Sequence, residues 1–128
     1  MSLLTSNHFE LHVHSLDEAR GFYVDRLKLP LLQDTPAIQL LAVKAGEIRI
    51  SIFADRTIKE VAAAAAAGGH LVLRTTNLEE TVRTLRECGV PLGEISEAPG
   101  FVRFVSTQDP SGNLIEIAQY LRDPLAAV

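Results

Sequence analysis

The amino-acid sequence predicts an α+β domain made of two βαβββ modules, and three observations carry that prediction. Residues 8–18, HFELHVHSLDE, align without a gap on residues 70–80, HLVLRTTNLEE. Both copies pass from an alternating apolar strand into a helix opened by a capping residue. Both then continue into three further strand-like segments, closing on the matched runs Ile48-Arg49-Ile50-Ser51-Ile52 and Asn113-Leu114-Ile115-Glu116-Ile117.

Each element follows from its local pattern. The first strands alternate Phe9, Leu11, Val13 and Leu71, Leu73. Ser15-x-x-Glu18 is a capping box, and Asn77-x-x-Glu80 is its weaker equivalent. The helices carry Leu16, Ala19, Phe22, Tyr23, Leu27 and Leu78, Val82, Leu85 at helical spacing. Gly89 suits the end of the second helix, and Leu29-Pro30 marks the exit from the first. The remaining strands are expected at about 29–33, 37–44 and 47–53, then 92–97, 101–107 and 113–119, with Asp109-Pro110-Ser111-Gly112 as a turn. Between the halves, Thr57-x-x-Glu60, an alanine run and Gly68-Gly69 read as a short crossover helix with a glycine stop, or else as a mobile linker. The modules are thus bounded at about 7–54 and 69–121, with the crossover at 55–68 and a tail at 122–128.

Composition narrows the functional classes. At 128 residues with 47% apolar and 22% charged residues, the chain suits one ordinary globular domain. A net charge of −4 and the lack of a Lys/Arg run argue against nucleic acid or an anionic membrane as partner. The stretch 61–67 is too short to span a bilayer, and the first residues carry no signal-peptide pattern. A single thiol, Cys88, cannot form an internal disulfide, which fits a cytoplasmic setting, and it falls on the apolar side of its helix.

Strand parity then gathers the polar residues. With Phe9, Leu11 and Val13 turned to the core, His8, Glu10 and His12 project from the opposite face, and His14, near the helix cap, is expected to be exposed. The same alternation assigns Arg49, Ser51 and Phe53, then His70 and Arg74, and finally Glu116 and Tyr120 to a shared cleft; Arg103 is a further cationic candidate. A lone strand-starting histidine is ordinarily a plain structural residue. Two that match across a repeat, with a carboxylate inside Leu114-Ile115-Glu116-Ile117, form a ligand set for a divalent metal: His8, His70 and Glu116. Glu10 and His12 are the acid/base candidates, or else partners that orient the metal ligands, or solvated residues at the rim.

These features resemble the vicinal oxygen chelate superfamily, which includes glyoxalase I, bleomycin-resistance proteins, extradiol dioxygenases and fosfomycin-resistance transferases. The resemblance covers about residues 8–121 and rests on His8 through Leu16, Phe22-Tyr23, His70 and DPSGNLIEIAQY at 109–120. It implies metal ligands at His8, Ser51, His70 and Glu116, of which Ser51 departs from the Glu or Gln of glyoxalase I-like enzymes. The remaining His-His-Glu set is similar to that of extradiol dioxygenases and favours Fe(II), with Mn, Ni or Zn as further options. Two substrate oxygens would chelate the metal, which acts as a Lewis acid. The alternatives are a lyase, isomerase or thiol transferase, and a metal-free drug-binding protein. A transferase would require an anion pocket, for which Arg49, Arg74 and Arg103 are candidates that form no dense cluster. The resemblance also implies a small-molecule substrate and a homodimer, with the cleft either closed within one chain or shared between two.

Overall fold

The computed structural model describes residues 2–126; Met1 and the last two residues of the expected tail, 127 and 128, lie outside them. The repeat is realised strand for strand. In the first half, β1 (His8–His12) pairs in parallel with β4 (Ile48–Phe53), which is antiparallel to β3 (Leu40–Ala45), and β3 to β2 (Leu31–Thr35). In the second half, β5 (Leu71–Arg74), β8 (Leu114–Tyr120), β7 (Val102–Gln108) and β6 (Ser96–Ala98) repeat that order and those directions. The result is two four-stranded mixed sheets, ordered β1-β4-β3-β2 and β5-β8-β7-β6.

One apolar core joins the halves. Leu11, Val43, Ile50 and Ile52 of the first sheet lie in the same buried cluster as Leu71, Val105, Ile115 and Ile117 of the second. The helical residues expected to face inward complete it: Leu16, Phe22 and Tyr23 from the first half, and Leu78, Val82 and Leu85 from the second. Burying such side chains contributes on the order of 1.5–3 kcal/mol each.

The helices keep their caps but differ in detail. Ser15 accepts from Glu18 N at 3.2 Å to start α1 (Leu16–Arg20), yet the Glu18 carboxylate turns to His14 instead of closing the box. The first helix then widens into a π-helical stretch, Gly21–Arg26, with Leu27 N donating to Phe22 O. That winding leaves both Phe22 and Tyr23 buried. Asn77 caps α3 (Leu78–Glu87), and Leu78 N also donates to Gln119 Oε1 of β8. Cys88, at the end of α3, is half-buried.

The crossover is a helix, α2 (Ile58–Ala66), opened by a complete capping box between Thr57 and Glu60. Gly68 and Gly69 end the segment at φ 102° and 85°, a region that L side chains rarely adopt. Only Val61 of α2 is buried, so its start depends heavily on that cap. Thr57→Ala is expected to weaken α2 locally by about 1 kcal/mol. Amide exchange across 58–66 should speed about fivefold while the global melting temperature barely moves, and Thr57→Ser should restore protection.

Three strands are bounded differently from the sequence pattern, β2 running Leu31–Thr35 rather than about 29–33. β3 begins at Leu40 because Pro36–Ile38 forms a single 3-10 turn, which Gln39 closes at φ 55°. β6 contracts to three residues, since Gly93 donates to Ser106 O outside a regular ladder. Among the described residues, no helix is long and apolar enough to cross a membrane.

Candidate functional site

Parallel pairing of β1 with β4 sets His8 beside Arg49, Glu10 beside Ser51, and His12 beside Phe53. Residues in register share a face, so these six stand together on the first sheet, opposite Leu11, Ile50 and Ile52. His8 Nε2 lies 2.8 Å from Ser51 Oγ, and Arg49 Nε donates to the same oxygen at 3.0 Å. A terminal nitrogen of Arg49 donates to Gln33 Oε1 at 2.7 Å, and Gln33 donates in turn to Thr35. Ser51 is 2% exposed, so its hydroxyl acts as a fixed post between imidazole and guanidinium.

At the far end of β1, His12 Nδ1 lies 2.7 Å from Asp55 Oδ1, and its ring stacks on Phe53 with centroids 5.7 Å apart. An imidazole held at Nδ1 by a carboxylate keeps Nε2 free for proton transfer. From His8, strand rise places Glu10 about 6.6 Å and His12 about 13 Å along β1.

The second sheet carries the matching half. Val72 pairs with Glu116 and Arg74 with Ala118, and His70 immediately precedes β5. His70 Nε2 lies 3.1 Å from Glu116 Oε2. Arg74 lies over the Tyr120 ring at 5.9 Å, and that ring meets Phe101 edge to face.

Within one chain the structure brings His70 to Glu116 and His8 to Ser51, but not His8 to the His70–Glu116 pair. Among the described residues, no three His, Cys, Asp or Glu side chains gather where they could hold a metal. Alternation explains the separation. The apolar faces of both sheets enter one core, so the polar faces are directed away from it.

Two sequence expectations are corrected. Arg103 is not on the Glu116 face: it pairs with Gln119 in register and binds Glu79 of α3 at 2.5 Å. It shares its strand parity with buried Val105, which fixes it on the helix side. Arg103 holds the Glu79 carboxyl below its usual range, and Glu79 raises the guanidinium further. His14 is half-buried rather than exposed, with Nδ1 at 2.6 Å from Ser111 Oγ and Nε2 at 2.5 Å from Glu18. The 109–113 turn folds over it.

That turn holds a buried polar cluster that pattern reading missed. Asp109, 4% exposed, accepts from Ser111 N at 3.0 Å, Asn113 N at 2.9 Å, Asn113 Nδ2 at 2.9 Å and Tyr23 OH at 2.7 Å. Asn113 Nδ2 also donates to His12 O, tying the turn to the end of β1.

Comparison with known proteins settles the family. A model of the Glyoxalase/Bleomycin resistance protein/Dioxygenase superfamily matches residues 5–117. The chain belongs to this superfamily. Solved structures similar to this superfamily member share its fold. A glyoxalase/bleomycin resistance protein/dioxygenase from Alicyclobacillus acidocaldarius is 21% identical over 96% of each chain, with a TM-score of 0.76. Lactoylglutathione lyase from Agrobacterium tumefaciens is 21% identical over 93% of this chain and 95% of its own, at 0.71. TnmS3, an antibiotic binding protein from Streptomyces sp. CB03234, is 23% identical over 94% and 98%, at 0.72. A search of curated protein sequences gave no match.

Proposed function

We propose that this superfamily member acts on a small oxygen-chelating molecule in a cleft assembled from two copies of the chain. His8 of one copy would join His70 and Glu116 of the second to hold a divalent metal, with Fe(II) favoured over Mn, Ni or Zn. The observation that carries this reading is the His70–Glu116 pair, 3.1 Å apart on one sheet, with His8 at the repeat-equivalent place on the other. Two imidazoles and a carboxylate fit such a cation, and pairing through the outward polar faces would unite donors that a single chain keeps apart. Ser51 is engaged by Arg49, which supports three protein ligands rather than four.

When bound, the metal would supply Lewis-acid chemistry to two substrate oxygens, as in a dioxygenase-type reaction. The chain's own residues divide the remaining work. Glu10, nearer to His8, would take or return a proton close to the chelating atoms. His12, oriented by Asp55, serves the far end of the cleft, where Phe53 offers a stacking surface.

A second reading, a metal-free binder of small molecules, is favoured by one contact. His8 Nε2 is already bonded to the Ser51 hydroxyl, which Arg49, a permanent cation, also holds. Metal analysis of protein purified without chelators separates the readings. One metal per site, lost in His70→Ala, is expected. Failure to load iron, manganese, nickel or zinc would leave only the binder. Oxygen uptake on catechols with iron supports the dioxygenase; activity requiring a thiol supports a transferase.

A further inference from the structure

The geometry points to Arg49 as the anchor for a carboxylate on the ligand, with Lys44 as its flanking charge. The inference rests on the reading that the outward face of the first sheet lines the ligand cleft. It does not depend on whether metal is bound.

Three features of the first sheet converge on an anion. Register places Lys44 of β3 directly beside Arg49 of β4, and His8 of β1 on the other side. Like charges opposed across antiparallel strands destabilise a sheet, and an anion between them reverses that cost. Neither cation has a carboxylate within 4.0 Å among the described residues, so neither charge is neutralised by a neighbour.

Arg49 is nonetheless fixed. Nε is held by Ser51 and one terminal nitrogen by Gln33, both neutral acceptors that orient the guanidinium without discharging it. The second terminal nitrogen has no protein acceptor among the described residues, and no buried polar atom there lacks a partner, so this end meets solvent. A planar fork, half-buried, held in place and left with free N–H groups matches the two oxygens of a carboxylate. Because the fork is already ordered before binding, less conformational entropy is lost on capture.

Benzoate and its neutral isostere benzamide, titrated into full-length, metal-free protein and followed through the Arg49 Nε–H resonance, test this. Benzoate should shift that resonance saturably and benzamide should not. Arg49→Gln, with circular dichroism and melting temperature checked, should weaken benzoate binding about tenfold or more, judged from the Ser51 and Gln33 amides. Arg49→Lys, which keeps the charge but loses the fork, should retain part of the affinity, and Lys44→Gln should cost less than Arg49→Gln. No saturable shift with benzoate, equal shifts with benzamide, or unchanged affinity in Arg49→Gln would overturn the assignment. The titration excludes metal, so its failure is distinct from a failure of the metal reading, which His70→Ala reports separately.

Discussion

Asp109→Ala is expected to lower folding stability by about 3–5 kcal/mol, measured by urea unfolding. The buried carboxylate satisfies two backbone amides of its turn, the Asn113 side-chain amide and the Tyr23 hydroxyl; truncation would orphan the two backbone amides and the hydroxyl, while Asn113 Nδ2 keeps only His12 O. Tyr23→Phe removes only one of them and should cost about 1–2 kcal/mol. Combined, the two changes should cost less than their sum, because the second removes a donor that the first has already orphaned. Tyr23 also leaves a signature in pH. Burial first, then the Asp109 charge, push its phenol well above the ordinary value of 10.0. The fold therefore holds the proton that the unfolded chain gives up. This contribution is complete below about pH 10 and is lost as pH rises through the folded-state value. Tyr23→Phe should flatten that alkaline decline, and an unchanged slope would remove Tyr23 from the account.

Mixing two inactive variants gives the second large effect. His8→Ala and His70→Ala should each abolish metal retention and turnover when prepared alone. Unfolded and refolded together, they form mixed dimers for about half of the population, and each mixed dimer carries one intact site of two. About a quarter of the wild-type metal content should return. A site closed within a single chain would give no recovery at any mixing ratio, and a monomer by sedimentation would exclude the shared arrangement outright.

The fold was legible because its signals are local. Alternation at Leu11, Val13, Leu71 and Leu73, the caps Ser15, Thr57 and Asn77, and the 8–18 over 70–80 repeat need no long-range information. The strand ends were less legible, since Pro36 and Gly93 act through turn geometry that hydropathy does not encode. At the site, the repeat singled out His8, His70 and Glu116, and parity put Arg49 and Ser51 on the face of His8, where strand register sets Arg49 beside it. Their partners were hidden. Gln33 reaches Arg49 across a register shift in β2, and Asp55 meets His12 from a loop beyond β4. Arg103 was misplaced because charge type was weighed over parity; buried Val105 on the same strand already marked its face.

The parallel pairing of each half's first strand with its last bears on how the protein is made. β1 has no parallel neighbour until β4, some forty residues later, has been synthesised, and β5 waits in the same way for β8. Neither sheet can therefore grow hairpin by hairpin from its start; each must close a long loop against chain entropy. Even a completed first sheet keeps its apolar face without the second sheet's share of the core. Until the second half follows, the first sheet has its own helix α1 against it but lacks the second sheet's side of the core, and in that interval exposed apolar surface favours aggregation.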